Sequence, residues 1–143
     1  MITQNVLSRT DIIITEKDFD RLQGVVDSPR YRATHATLLM GLKNELERGK
    51  VVAADEVPKR VVTMHSQVRI RDLRTDDLET YTLVYPEEAD INDGKLSVLA
   101  PLGTALLGTR VGQVVKFDVP AGQRRLKVEK ILYQPEAAGD FHL

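Results

Sequence analysis

At 143 residues, with 20 lysines and arginines against 21 aspartates and glutamates for a net charge of −1, the chain has room for one ordinary domain, or a small domain with an appended element. That balance excludes a global pull toward nucleic acid or an anionic membrane, and the lack of cysteine excludes disulfides, thiolate zinc sites and a cysteine nucleophile. The opening MITQNVLSRTDIII lacks a basic segment followed by an apolar run, and no stretch approaches the roughly 18 apolar residues of a membrane span, so a cytoplasmic protein is expected.

Before Pro58 the apolar residues recur with a helical period. Thr15 is placed to cap a helix whose third position is Asp18, with Phe19, Leu22, Val25 and Val26 on one side, and this helix ends at Asp27. Ser28 and Pro29, a capping hydroxyl and an imino acid suited to the first helical position, start a second helix that runs to Arg48 and stops at Gly49. Leu39, Leu42 and Leu46, with His35 and Leu38 beside them, make a stripe facing the first helix. So short a connection makes the pair an antiparallel helical hairpin, a short coiled coil with its tip near Val26 to Pro29. Its first arm is about 16 Å long and its second about 30 Å.

After Pro58 the period becomes two. Val62, Met64, Val68 and Ile70 alternate with Thr63, Gln67, Arg69 and Arg71, giving one strand a dry and a wet face. Thr75-Asp76-Asp77 is a turn, and Glu79 to Tyr85 returns with Tyr81, Leu83 and Tyr85 on one side until Pro86 stops it. A polar segment leads to a short strand, Leu96 to Leu99. A helix of about two turns follows from Pro101 to the stop at Gly108, then strands at Gln113–Val119 and Arg125–Tyr133 around a Pro120-Ala121-Gly122 turn. The tail from Pro135 is expected to be loose. The expected fold is α+β: a helical hairpin over 1–56, then an antiparallel sheet domain over 57–143 whose dry face the short helix covers. Leu102, Ala105, Leu106 and Val111 are assigned to the sheet, which leaves Leu107 and the Ala100-Pro101 corner for another contact.

Chemistry-bearing patterns are sparse. His35, His65 and His142 show no metal-ligand spacing, no phosphate-cradling glycine motif follows a βαβ unit, and no metal or cofactor is expected. Asp55-Glu56, Asp76-Asp77 and Glu87-Glu88 are adjacent in extended chain, so each pair splits between faces and reads as solvated loop charge. Asp27 stands alone at the hairpin tip, and its ordinary role is that of a turn residue. Arg69 and Arg71, with Arg124, Arg125 and Lys127, could form a basic stripe, but without interleaved aromatics they read as a solvated face.

The stretch LSVLAPLGTALLG followed by RVGQVV resembles the signature of the C-terminal domain of the Gre transcript cleavage factors, whose fold is FKBP-like. RVVTMH at 60–65, TLVYP at 82–86 and YQPEAAGD at 133–140 resemble, more closely, the Gre-related regulators of nucleoside diphosphate kinase. That resemblance implies a monomeric binder of RNA polymerase, with no specific DNA and no membrane contact, that docks at the rim of the secondary channel through Ala100, Pro101, Leu102 and Gly103. Gre factors usually carry serine at the position of Ala100. They also bring an aspartate and a glutamate on a long coiled coil to hold a metal ion for transcript cleavage. Here Asp27 is the only tip acid and the arms are short, so the resemblance implies a non-enzyme that competes with Gre factors without stimulating cleavage. The influence on nucleoside diphosphate kinase is then regulatory. The alternatives are a peptidyl-prolyl isomerase of FKBP type, against which stand only seven aromatics and no tryptophan, and an interaction module for another cytoplasmic partner.

Overall fold

The computed structural model describes residues 12–143; most of the N-terminal stretch read above for a targeting segment lies outside the described residues. Strand β1 (Ile13–Thr15) runs directly into helix α1 (Glu16–Val26), where the Thr15 hydroxyl accepts a hydrogen bond from the Asp18 amide at 3.1 Å, as its capping position requires. The chain returns along α2 (Pro29–Thr34) and α3 (Ala36–Arg48) into β2 (Lys50–Val52), which pairs with β1 in parallel. Neither this two-stranded base nor the break in the returning arm is in the sequence pattern.

The break falls at His35, whose φ of −135° and ψ of 35° leave the helical region. Thr34 turns its hydroxyl onto the Arg30 carbonyl at 3.2 Å and the His35 ring at 2.6 Å, the local competition that makes threonine a poor helix interior. His35 is exposed rather than facing α1, and Ser28 makes no side-chain cap. The straight second arm of about 30 Å is thus replaced by one turn and a half, a bend, and a helix of about 20 Å. Leu39, Leu42 and Leu46 do form the buried stripe of α3.

Five strands make the main sheet in the order β5-β4-β3-β7-β6, from β3 (Gln67–Asp72), β4 (Leu78–Val84), β5 (Lys95–Ser97), β6 (Val114–Val119) and β7 (Gly122–Tyr133). It is antiparallel except for its β4–β5 edge, which is parallel because the chain crosses over through short turns at Pro86–Glu88 and Ile91–Asp93. Residues 61–66, read as strand, are irregular: the Ser66 hydroxyl accepts from the Thr63 amide at 2.9 Å and His65 sits at φ 67°. Val62 and Met64 are buried there nonetheless.

Helix α4 (Pro101–Leu106) packs between β6 and α3. One apolar core runs from Leu22, Leu39 and Leu42 of the hairpin through Val68, Ile70 and Val128 of the sheet to Leu102, Leu106 and Leu107. Leu107 is only 1% exposed, so it is core and not a free contact. The tail is tied down: α5 (Pro135–Ala138) follows Gln134, whose amide donates to the Pro58 and Val61 carbonyls at 2.9 and 2.7 Å, and Lys17 reaches the Phe141 carbonyl at 2.6 Å.

Candidate functional site

The Ala100-Pro101 corner is built by Ser97. Its carbonyl accepts from the Ala100 amide at 3.0 Å, its hydroxyl from the Leu99 amide at 3.1 Å, and the Thr104 hydroxyl donates to the Val98 carbonyl at 2.6 Å. Proline at the first helical position costs no hydrogen bond there and presets the turn. Gly103 then lies so close to the preceding strand that a Cβ would stand 2.0 Å from the Ser97 carbonyl oxygen, which only glycine avoids. Of the four residues assigned to the corner, Pro101 is exposed and Ala100 half-buried, while Leu102 and Gly103 are buried. The presented edge is Ala100-Pro101, and its neighbours hold it.

Asp27, at the far end of the hairpin, caps α1 at its C-terminus and is exposed, with the Gln23 amide 3.4 Å from its carboxylate. Beside it a shallow groove of about 320 Å³ has Val26, Ala36, Leu39 and Met40 along it and Arg32 and Lys43 on its rim. Among the described residues no group of three or more histidines, aspartates or glutamates is placed to hold a metal ion.

Between hairpin and sheet lies a polar joint. Asp18 is 3% exposed, accepts from the Met64 amide at 3.1 Å, and faces the Tyr85 hydroxyl at 3.4 Å. Burial pushes its carboxyl up to about 6, against the Met64 hydrogen bond, and Glu136 pushes the same way. Tyr85, buried and facing that carboxylate, is raised as well. Its ring carries the Arg21 guanidinium at 4.2 Å and packs on His65. The Nε2 of His65 lies 2.8 Å from Glu88. Burial alone would raise the Glu88 carboxyl, but the His65 hydrogen bond and charge, the Tyr85 amide and Arg21 hold it below the usual range. Glu87 accepts from the Tyr31 hydroxyl of α2 at 3.1 Å. Glu87 therefore ties α2 to the sheet side and Glu88 holds His65, so the pair is not free loop charge.

Comparison with known proteins fits this architecture in two pieces. The family model for the C-terminal part of GreA/GreB transcription elongation factors matches residues 57–133, and the model for the Rnk N-terminus matches 10–52. A regulator of nucleoside diphosphate kinase from Escherichia coli is 39% identical over 138 residues, covering 96% of this chain and all of its own length. The chain belongs to the Rnk family of GreA/GreB-related regulators. Among more distant relatives of this Rnk-family chain, the GreA of Clostridioides difficile is 29% identical, covering 90% of this chain and 80% of that protein. A solved GreA/GreB from Nitrosomonas europaea superimposes with a TM-score of 0.71 at 34% identity, over 85% of this chain and 99% of that one. The mixed α+β architecture, helices first and an antiparallel-rich sheet after, is that of these proteins. The relatives are named as regulators or elongation factors.

The sequence pattern of the Rnk-family chain singles out the corner and the tip and passes over the joint. One signal was available: Asp18 lies four residues before Leu22, on the apolar stripe of α1, where an unpaired carboxylate is out of place. Of the noted arginines, Arg124 turns inward to Asp72 and Glu79 at 3.0 and 2.6 Å, and Arg71 grips Glu129 with two hydrogen bonds of 3.1 Å.

Proposed function

We propose that this Rnk-family chain is an RNA polymerase-binding transcription regulator that docks at the rim of the secondary channel through the Ala100-Pro101 corner. Support comes from one observation above all: an exposed proline edge held on a buried scaffold, with Gly103 locked against Ser97. A rigid edge costs little ordering entropy on association. Leu102 serves as its support. In this reading residues 57–143 form the docking domain, of FKBP-like type, and 1–56 a short coiled-coil hairpin that enters or covers the channel mouth. The protein acts as a monomer, without a cofactor and without specific DNA contact.

Asp27 is a lone carboxylate bonded to its own helix, on a hairpin whose returning arm bends at His35. Holding a catalytic metal in phosphoryl chemistry calls for more than one such ligand. The chain therefore occupies the site of Gre factors and competes with them without stimulating transcript cleavage. Its effect on nucleoside diphosphate kinase is regulatory.

The test is retention of core RNA polymerase by the immobilised protein and by Pro101→Asp. Aspartate suits the first turn of a helix, so the fold is kept. Retention should fall at least tenfold, and equal retention overturns the docking assignment. On stalled complexes the protein should suppress GreA-dependent trimming and add none. Asp27-dependent trimming overturns the non-catalytic reading.

A further inference from the structure

The face of the main sheet turned away from the core carries a pattern that folding does not require. Lys116 on β6 stands directly opposite Arg125 on β7, while Arg71 and Arg69 on β3 stand opposite Lys127 and Lys130 of β7. These are three successive cross-strand pairs of like charge, and like charges placed opposite each other destabilise a sheet. Lys116, Arg125, Lys127 and Lys130 are exposed and form no ion pair among the described residues. The carboxylates sharing the face are Glu129, gripped by Arg71 and lying within reach of the Lys127 and Arg69 charges, and Asp118, at the far end opposite Gln123. Asp76, in the β3–β4 turn, reaches Arg71 at 3.4 Å from the edge. On a chain of net charge −1 this is strong segregation, since the rest of the molecule is left net acidic.

The stripe is linear. Along β7 the cations of Arg125, Lys127 and Lys130 span about 17 Å at a strand rise of about 3.4 Å per residue. The step from Arg125 to Lys127 is about 7 Å and the three-residue step from Lys127 to Lys130 about 10 Å, on the scale of one to two phosphate spacings along an extended strand. No aromatic side chain stands among them for base stacking, and lysines and arginines in a row read the backbone rather than the bases. A single row of cations along β7 fits one backbone better than the two of a duplex.

We propose that this sheet face binds the phosphodiester backbone of single-stranded RNA, without sequence preference. The choice of RNA rests on the polymerase-binding reading, because a transcript is the single strand such a partner holds. Binding to free RNA is nevertheless measured without polymerase, so either idea can fail alone. The like-charge pairs are then relieved when phosphates lie across them and their counterions are released.

The experiment is fluorescence anisotropy of a labelled 20-nucleotide RNA with the full chain. Matched single-stranded DNA, duplex DNA and poly-glutamate serve as competitors. At low salt a Kd of about 10 µM is expected, weakening with a log–log salt slope of about −3 for four or five phosphates at about 0.7 each. Arg125→Ala combined with Lys127→Ala should weaken binding at least tenfold, whereas Lys43→Ala, on the hairpin, should leave it unchanged. Lys116→Glu turns one repulsive pair into an attractive one, so it should lower RNA affinity while raising Tm. Loss of binding together with a fall in Tm overturns the assignment, as does a salt-independent or absent interaction at 100 µM protein. Displacement by poly-glutamate at lower concentration than by RNA overturns it in favour of an acidic protein surface.

Discussion

Helices α2 and α4 start alike and are held differently. Each has six residues, opens on a proline and lacks a side-chain cap, yet α4 buries Leu102, Gly103 and Leu106 while α2 buries nothing. Helices this short are marginal on propensity alone, so each exists only by what it packs against. For α4 that is apolar surface on both sides and a backbone contact only glycine permits. For α2 it is the edge of the core under Tyr31 and one hydrogen bond from Tyr31 to Glu87. The hairpin that carries α2 meets the sheet across the shared apolar core and a buried carboxylate within it, whereas the α4 corner meets it across leucine alone. The corner should therefore be stiff and indifferent to pH, and the hairpin attachment softer and sensitive to it.

Truncating the α4 anchor tests that contrast most severely. Leu106 is fully buried, and Leu106→Ala should cost about 4 kcal/mol, seen as a loss of roughly 8–16 °C in Tm. Gly103→Ala comes next, at about 3 kcal/mol, because the new Cβ meets the backbone of Ser97 and one of the two segments must move. Its stability loss should come with weaker polymerase retention, whereas an α4 held only loosely would absorb the methyl at no cost.

The hairpin side predicts a pH effect. The folded chain holds the Asp18 proton up to about pH 6, well above the usual carboxylate, so it binds more protons than the unfolded chain in between. Stability from this group is full at and below about pH 4, falls as pH rises to about 6, and is level above. The fall is about 2–3 kcal/mol from a shift of roughly two units. Chemical denaturation of Asp18→Asn across that window should show the slope removed, and an unchanged slope would place its origin elsewhere. Smallest is Tyr31→Phe, which removes one exposed hydrogen bond and should cost about 0.5 kcal/mol by the same measurement, with raised hydrogen exchange in α2 and α3 unchanged.

Much of this was legible in the chain. Thr15 as cap, the Leu39-Leu42-Leu46 stripe, the turn at 75–77 and the Pro101-to-Gly108 helix follow from local chemistry, and so they were found. The bend at His35 was not, because a helical period continues through Thr34 and only its hydroxyl chooses the carbonyl of Arg30. The β1–β2 base was hidden as well. Three-residue strands carry no period, and parallel pairing joins segments 37 residues apart in register, Ile13 with Lys50. At the candidate site, Pro101 was visible as a start signal, but the burial of Leu102, Gly103 and Leu107 depends on α3 and β6 closing over them.

By itself the sequence determined the first helix, the buried stripe of α3, the Pro101 helix and the longer strands, the punctuation between them, and family membership, because capping, periodicity and motif are local properties. Only the tertiary structure decided that Asp18 is enclosed with Tyr85 and Met64, that the tail is anchored at Pro58 and Val61, and that three pairs of cations face one another across β3, β7 and β6. Those are contacts between residues distant in sequence. Their energies come from dielectric, close approach and strand register, which exist only once the sheet has formed and the hairpin has closed on it.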